Sequence, residues 1–356
     1  MGAIRTTIDG PKLNKAVIPH HTCTSIPIYL LKQQVSINEK YLKEKSTWYM
    51  VEDKLKYFKV RNDCRLFTEQ FFSMFAKQIM DLDTLDYQAA YVRVDNPEWK
   101  KSDQEKKLGL LSDNFQQPNY NYYLISELLN TDVSDLICYS GYSLMNLLLF
   151  FKETLCKEDY ENVKLFLIKL FISDAFTLQV DRNYHNIGFE IPKIEGVSYK
   201  ERLRPGLLMN NPLASKYICL EDGAPKLKGF RASKVYDSER ILGLDHKNIS
   251  IYEPNMAWNP LFPYENELLF ETQEQAKKAS IEMYDGLDPN LTELYLNFSK
   301  ETKPYLERLA YDDEYRKIFE HFSTDTSQIH LLPQTQEYFE NVLEERRREF
   351  QKVLKL

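Results

Sequence analysis

The chain has 356 residues, of which 43% are hydrophobic, so it can bury a sizeable core in one large or two medium domains. A net charge of −7 and a pI near 5.6 argue against a general nucleic-acid binder, which would carry a basic face. The most apolar run, Leu144 to Phe151, is far too short to span a bilayer. The five cysteines form no CxxC pair and no cluster with histidine, which indicates reduced thiols and a cytoplasmic protein, in its own cell or as a delivered effector.

The first third of the chain is predicted to be rich in strands. A strand is predicted at Ile26 to Leu31. Because Pro27 lacks the N–H that a sheet needs, this strand should be irregular or lie at the edge of the sheet. Residues 47–60 predict two short strands joined at residues 52–54, which is a hairpin.

A helix is predicted after this hairpin, because large apolar residues recur at every fourth position. These residues are Phe67, Phe71, Phe75 and Ile79. Two further strands are predicted at Tyr87 to Val94 and at Lys107 to Phe115.

From about residue 120 the pattern changes to helices. A short helix is predicted at Tyr122 to Asn130, and longer ones at Leu144 to Lys157 and at Asp159 to Phe176. Residues 192–250 are richer in proline, glycine and charge, and predict an elaborated loop region or insertion.

The last helix is predicted at Gln334 to Leu356. It is amphipathic, with Phe339, Val342, Phe350 and Val353 facing inwards. Its outer face is predicted to be a solvated surface of charged residues that form i,i+4 pairs. These residues are Glu344, Glu345, Arg346, Arg347 and Arg348.

A small sheet with one helix, followed by a larger helical part, is the layout of a kinase, with nucleotide bound between the two lobes. We therefore predict an α+β, bilobal, protein-kinase-like fold. Residues 1–118 would form the sheet-rich N-lobe, and residues 119–356 the helical C-lobe.

The most informative stretch is Leu178 to Glu190, which reads LQVDRNYHNIGFE. Asp181 precedes Asn186 by five positions, a long apolar helix comes before, and the strand-like I-G-F comes after. Kinases need one carboxylate to receive or orient the proton of the attacking hydroxyl. They also need an amide oxygen nearby to hold a metal that bridges the nucleotide phosphates.

A kinase also needs a cation on the nucleotide phosphates and a carboxylate that holds this cation. Lys59 lies in the second strand of the hairpin, and Glu69 lies in the first turns of the helix that follows. This is the expected order for the strand lysine and its helix glutamate, although lysines on strands and glutamates on helices are common.

The third requirement is an acidic metal ligand downstream, at the end of a strand. The chain has no D-F-G motif, and the candidates are Asp222, Asp237 and Glu265. Asp237 is preferred because an apolar residue and an aromatic residue precede it and a small residue follows. Asp222 stays open, and Glu265 would be an unusual substitute for aspartate.

Four segments together resemble a known family, the HipA-like protein kinases. They are KYFKV, TEQF on a helix, GLLSDNF, and VDRNYHNIGF, within about Trp48 to Phe189 and extending at most to Gly243. This family includes the toxin kinases of bacterial toxin–antitoxin pairs and the CtkA-like bacterial kinases. The D-R-x-x-x-N form is also similar to the phosphoinositide kinases, which share the wider fold.

The resemblance implies an ATP- and Mg²⁺-dependent kinase. In it, Lys59 would contact the α- and β-phosphates, with Glu69 orienting it. Asp181 would be the catalytic base, and Asn186 and Asp237 the magnesium ligands. The hinge that holds adenine would consist of Leu111, Ser112, Asp113, Asn114 and Phe115.

The chain departs from the family pattern because no glycine-rich phosphate loop is present, and the E-D-K turn at residues 52–54 would replace it. The gap from Asn186 to Asp237 is also long, which implies an insertion. The first 45 residues and about the last hundred match nothing in the family.

Three functions remain open. The first is a Ser/Thr protein kinase that autophosphorylates, for which Ser46 and Thr47 are candidate sites, with an antitoxin or other regulatory partner. The second is a lipid or small-molecule kinase, for which the basic stretches at Lys200 to Arg204 and Lys226 to Lys234 are modest. The third is a pseudokinase or binding module on the same fold.

Overall fold

The computed structural model describes residues 3–7, 15–19, 24–27, 29–30, 47–51, 54–60, 65–93, 107–115, 117–129, 144–179, 182, 186–238, 241–242, 291–323, 330–331 and 333–355. Its strands are β1 (Ala3–Thr7), β2 (Lys15–Pro19), β3 (Thr24–Pro27), β4 (Tyr29–Leu30), β5 (Thr47–Val51), β6 (Lys54–Val60), β7 (Tyr87–Arg93), β8 (Lys107–Asp113), β9 (Tyr120–Leu124), β10 (Gly188–Pro192), β11 (Ile218–Glu221), β12 (Ala224–Leu227), β13 (Arg231–Ala232) and β14 (His330–Leu331). Its helices are α1 (Arg65–Gln78), α2 (Ile125–Leu129), α3 (Leu144–Thr154), α4 (Lys157–Thr177), α5 (Tyr199–Arg202), α6 (Pro205–Leu208), α7 (Leu291–Asn297), α8 (Ser299–Tyr311), α9 (Tyr315–Ser323) and α10 (Pro333–Val353).

The N-terminal part is built on a six-stranded sheet with the order β3-β7-β8-β6-β5-β4. The predicted hairpin is confirmed as β5 and β6, and the strands predicted after α1 are confirmed as β7 and β8. The strand predicted at Ile26 to Leu31 is instead two short strands, β3 and β4, which lie at opposite edges of the sheet. Pro27 ends β3, because its ring removes the N–H that would continue the ladder.

Gly109 allows β8 to lie in the middle of this sheet. A Cβ at this position would collide with the carbonyl oxygen of Lys59 and would lie 2.6 Å from the Phe58 ring. Phe58 is fully buried, so it has no space into which it can move.

We therefore expect Gly109→Ala to destabilise the chain by about 1–3 kcal/mol, the usual cost of overpacking a well-packed core. Gly206→Ala is the matched control, because its Cβ would meet only Pro225, at an ordinary 3.8 Å. Urea denaturation of both variants measures the difference. Equal stability of the two would contradict the tight packing at Gly109.

Helix α1 joins the sheet to the helical part of the chain. Its aromatic face, predicted from the four-residue repeat, is buried against the C-terminal helices. Phe67 lies 4.8 Å from Phe322 and 5.4 Å from Phe339 between ring centroids. Arg308 of α8 donates hydrogen bonds to the carbonyl of Gln78, the last residue of α1, at 3.5 Å and to that of the next residue, Ile79, at 2.5 Å. Helices α8, α9 and α10, from the part of the chain that matched nothing in the family, therefore hold α1 in position.

The predicted long helices are confirmed as α3 and α4, but the helix predicted at Tyr122 to Asn130 is wrong in its first half. Residues Tyr120–Leu124 form β9, which pairs with β10, and only Ile125–Leu129 is helical. The sequence Y-N-Y-Y is compatible with a strand. The ring of Tyr122 covers Gly188 of β10, and a Cβ at position 188 would collide with this ring.

The region predicted as an elaborated loop carries regular structure where it is described. It contains α5, α6, a 3₁₀ turn at Ser215–Tyr217, the β11–β12 hairpin and β13. A small separate core forms within it, made of Ile194, Val197, Leu208 and Ala214. Several large apolar side chains of this insertion are exposed, namely Leu207, Met209, Leu213 and Leu220.

The predicted C-terminal helix is confirmed as α10, and its four inward-facing residues are buried. The prediction that Arg346 lies on a solvated face is wrong, because its side chain is 1% exposed. Arg346 lies seven residues after Phe339 and four before Phe350, which places it on the buried stripe. It donates a hydrogen bond to the Ala175 carbonyl at 2.8 Å, and burial lowers its pKa to about 9. Among the described helices, none combines the length and apolarity that a membrane span requires.

Candidate active site

Lys59, Glu69 and Asp237 come together between the sheet and the helical part. The ammonium group of Lys59 on β6 forms ion pairs with the Glu69 carboxylate of α1 and with the Asp237 carboxylate. The side chain of Glu69 is fully buried, that of Lys59 is 11% exposed, and that of Asp237 is 35% exposed. The buried acid can thus hold the lysine in place, while the more exposed acid can also reach a ligand.

Glu69 also connects α1 to the backbone beside Asp237. Its second carboxylate oxygen accepts a hydrogen bond from the Ser238 N–H at 3.1 Å. One buried carboxylate therefore fixes both the lysine and the segment 236–238. A shift of α1 would move both of them.

The backbone of Asp237 is held in the left-handed region, with φ of 55°. Asp tolerates this region better than most residues, because its short side chain can form local hydrogen bonds. The Asp237 carbonyl accepts a hydrogen bond from the Gln179 side chain at 3.4 Å, and its backbone also contacts the Tyr87 hydroxyl. Burial raises the pKa of Tyr87 well above its ordinary value, and the charge of Glu69 raises it further, so Tyr87 stays neutral.

Arg182 links the predicted catalytic loop to the Asp237 segment. Its guanidinium group forms a bidentate pair with Asp174 of α4, at 2.9 and 3.1 Å, and both side chains are buried. The same group donates to the carbonyls of Tyr236 at 3.0 Å and Asn186 at 3.3 Å, and to the Ser238 hydroxyl at 2.8 Å.

Burial and the mutual attraction of the two groups act in opposite directions on the pKa values of this pair. Burial lowers the pKa of Arg182, but the Asp174 carboxylate more than offsets that effect and raises the pKa above its ordinary value. Burial raises the pKa of Asp174, and the nearby Arg182 lowers it by less than burial raises it. Arg182 is therefore the group that favours the charged form of Asp174 against its burial.

The predicted base, Asp181, lies outside the described residues, and so do residues 183–185. The residues on either side of this gap are placed: Arg182 is anchored as above, and Asn186 is buried, with 7% exposure. Because one nitrogen of Arg182 bonds the carbonyls of both Asn186 and Tyr236, the two predicted metal-ligand segments lie next to each other.

The predicted hinge forms the end of β8 and the residues after it. Leu111 and Ser112 are buried, while Asp113 is exposed and pairs with Lys56 at 2.9 Å. Asn114 is exposed as well. Phe115 is half-buried, and the residues that it contacts connect the hinge to the Asp237 segment.

The ring of Phe115 lies 5.4 Å from that of Tyr122 and 6.2 Å from that of Tyr236. The Tyr122 hydroxyl donates to the Tyr236 hydroxyl at 2.6 Å. Burial raises the pKa of both tyrosines, which keeps them neutral. The aromatic residue just before Asp237 is therefore packed against the end of the hinge.

The position of Asp222 argues against it as the partner of Lys59. Asp222 is exposed at the tip of the β11–β12 hairpin. The preceding residue, Glu221, contacts the Lys157 N–H at the start of α4, whereas Arg182 contacts Asp174 near its end. These two ends of α4 are roughly 25 Å apart at 1.5 Å per residue. Glu265 lies outside the described residues.

The oxygens of Asp237 and Asn186 fit a magnesium ion by their chemistry. Mg²⁺ prefers hard oxygen ligands and is usually held by one or two protein side chains together with substrate phosphates. The partial exposure of Asp237 and the shared anchor on Arg182 agree with such a site.

Sequence reasoning missed the residues that support the site, namely Arg182, Asp174, Tyr87, Gln179 and Ser238. Only Arg182 carried a signal, as the residue directly after the predicted base. Asp174 is a polar position in an apolar helix, and Tyr87 is the first residue of a strand, so neither stands out locally.

No protein-family model and no curated protein sequence matches the chain. Among solved structures, it is similar to the crystal structure of a Helicobacter pylori proinflammatory kinase, CtkA, with a TM-score of 0.50 and 12% sequence identity. The match covers 87% of this chain and 94% of that one. The chain has a bilobal, protein-kinase-like α+β fold. At this identity the likeness shows the fold alone.

Proposed function

We propose that this protein is an ATP- and Mg²⁺-dependent phosphotransferase, of the kind that the resemblance to the HipA-like kinases implies. The observation that carries the proposal is the position of Lys59 between the buried Glu69 and the accessible Asp237. A lysine held by a buried acid, next to a second acid that can reach solvent, is the arrangement that phosphoryl transfer requires. The likeness to a structure described as a kinase supports the same conclusion.

In this proposal each residue has one task. Lys59 binds the α- and β-phosphates of ATP, and Glu69 orients it. Asp237 and Asn186 hold Mg²⁺, which neutralises charge on the phosphates when bound. Asp181 receives the proton of the attacking hydroxyl. Most of the work is positioning and charge neutralisation, because the transferred phosphoryl group needs little covalent help from the protein.

Arg182 gives this site its rigidity. It ties the backbone at Asn186 to the segment that carries Asp237. The segments that carry the two proposed metal ligands are then held together by one buried guanidinium group.

The acceptor that we propose is a Ser or Thr hydroxyl of a protein, including the chain itself. Ser46 and Thr47 are the candidate autophosphorylation sites. Thr47 begins β5, and its pairing with Phe58 places it at the opposite end of the β5–β6 hairpin from the turn that would replace the phosphate loop. A regulatory partner, such as an antitoxin, belongs to the same proposal.

The test is incubation of the full chain with γ-labelled ATP and Mg²⁺, beside Asp181→Ala, followed by mass spectrometry. We expect phosphate on serine or threonine of the wild type. In the variant we expect transfer to fall about 10²–10⁴-fold, the usual contribution of a general base. Binding should survive, so Mg²⁺–ATP at about one hundred times its dissociation constant should stabilise both proteins by about 2.7 kcal/mol.

Asp86→Ala is the matched control, because Asp86 is an exposed acid whose pair with Lys77 lies at the surface. It should transfer phosphate at the wild-type rate. Near-normal transfer by Asp181→Ala would contradict the assigned base. Absence of both binding and transfer in the wild type would favour a non-enzymatic binding module, and transfer to a lipid or small molecule instead of protein would change the proposed acceptor.

A further inference from the structure

Two thiols and a carboxylate meet where α4 begins, at the opposite end of this helix from Asp174. Cys156 directly precedes α4, and Cys219 and Glu221 lie on β11. The Sγ atoms of the two cysteines and a carboxylate oxygen of Glu221 all lie within 4.8 Å of one another. The cysteines, which are scattered in the sequence, are thus not all scattered in the fold.

Strand alternation explains why two of these groups share one side of β11. Cys219 and Glu221 are two positions apart, so their side chains point to the same face. Leu220 between them is 62% exposed on the other face. Both Glu221 oxygens accept the Lys157 N–H, each at 3.0 Å, which fixes the carboxylate beside Cys156. A carboxylate has about four acceptor positions, so Glu221 keeps capacity for a further ligand.

We infer that Cys156, Cys219 and Glu221 form a binding site for a thiophilic divalent cation of the zinc class. Cysteine sulfur and carboxylate oxygen are both zinc ligands, and a tetrahedral site with bonds of about 2.3 Å places its ligand atoms roughly 3.8 Å apart. The distances between the three ligand atoms therefore need to shorten by at most about 1 Å. The two sulfur ligands favour zinc over magnesium or calcium, which prefer oxygen.

The surroundings leave the fourth position to water. The nearby acid Asp159 does not belong to the group of three ligand atoms that lie within 4.8 Å of one another. One of its oxygens accepts the N–H groups of Gly229 at 2.6 Å and Phe230 at 3.1 Å. Cys156 is buried, whereas Cys219 is half-buried, so a cation can enter from the β11 side.

A cation at this site would fasten the inserted hairpin to α4. Other contacts of the hairpin there include the Glu221 contact with Lys157 and a hydrogen bond from the Cys156 N–H to the Leu227 carbonyl at 2.8 Å. The Lys226 ammonium group also donates to the carbonyls of Lys152 at 2.9 Å and Glu153 at 2.7 Å, just before α4. The site involves none of the residues proposed to bind ATP. Its presence or absence is therefore independent of the proposed kinase activity.

The test is a Co²⁺ titration of the chelator-stripped full chain, in the wild type and in a background where Cys23, Cys64 and Cys138 are replaced by Ser. We expect thiolate-to-cobalt charge-transfer absorption that saturates at one ion per chain in both proteins and is displaced by Zn²⁺. Cys156→Ser and Cys219→Ser in that background should abolish the absorption. Glu221→Gln should weaken Co²⁺ binding by at least about 10–100-fold, the loss typical even of an outer-shell partner.

Circular dichroism of each variant separates loss of the cation site from loss of the fold. Absence of the absorption in a folded background protein would overturn the inference, and so would full binding by Cys219→Ser. A disulfide between Cys156 and Cys219 would also overturn the inference. Mass spectrometry of the protein purified without reductant would show it as a mass lower by the two thiol hydrogens, and added Zn²⁺ would not change that mass.

Discussion

Replacing Asp237 by Asn is expected to reduce phosphate transfer by about 10³-fold or more while the chain keeps its fold. The change removes the negative charge that Mg²⁺ needs, and metal stabilisation of phosphoryl transfer amounts to several kcal/mol, at 1.36 kcal/mol per tenfold. The backbone should tolerate Asn, which adopts the left-handed conformation as readily as Asp. Lys59 keeps its pair with Glu69. Initial rates measured against Mg²⁺ concentration, with circular dichroism of the variant, check this prediction.

Asp222→Asn is the matched control for this experiment. Asp222 is also an acid with a positive φ, of 51°, but it is exposed at a hairpin tip. The same chemical change there should leave both the rate and its Mg²⁺ dependence unchanged. If Asp222→Asn lost transfer and Asp237→Asn did not, the metal ligand would be Asp222, and wild-type rates in both variants would exclude both acids.

The parts of the fold that the sequence predicts well are those in which one local pattern determines the structure. The alternation in residues 47–60 and the four-residue repeat from Phe67 to Ile79 predict the hairpin and α1. Lys59 and Glu69 could be paired in advance because a strand, a short connection and a helix leave them few relative positions. Their contact with Asp237, about 170 positions away, depends on the whole fold.

The predictions fail where a tertiary contact overrides the local signal. Tyr122 lies in a segment that permits a helix, but β10 provides a strand partner with a glycine where the ring needs space. Arg346 lies in a charged run, yet its spacing from Phe339 and Phe350 matches the buried stripe. Periodicity was the better guide there, because the buried guanidinium group has a backbone acceptor in the Ala175 carbonyl.

The supporting residues of the site could not be predicted for a related reason. Arg182 contacts α4, the residues around Asn186 and the residues around Asp237, which are brought together only in the folded chain. The guanidinium group of Arg182 also lies over the ring of Phe72, so α1 is a further element that contacts it. No spacing in the sequence encodes such a junction. Its importance follows from burial and from the number of elements that share one guanidinium group.

Arg182→Ala is therefore expected to destabilise the chain by about 3–5 kcal/mol near neutral pH, the usual cost of removing one partner of a buried ion pair. The loss leaves the Asp174 charge buried without a counterion. Urea denaturation should show a lower midpoint, whereas Lys303→Ala, which breaks an exposed pair with Glu307, should cost only about 0.3–0.5 kcal/mol. The double variant Asp174→Asn, Arg182→Met should recover much of the stability, because it removes both charges.

The destabilisation by Arg182→Ala should also depend on pH in a defined direction. Burial already raises the pKa of Asp174 above its ordinary value of 3.8, and removing Arg182 raises it further. A carboxyl with a raised folded-state pKa binds its proton more tightly in the folded protein, so stability falls as pH rises from the unfolded pKa to the folded one. The stability difference between Arg182→Ala and the wild type should therefore grow as pH rises above 3.8, the ordinary pKa of the group, towards neutral. A difference that stays constant over that range would show that Asp174 does not need Arg182 as its counterion, and that the variant loses stability through its hydrogen bonds to Tyr236 and Asn186 instead.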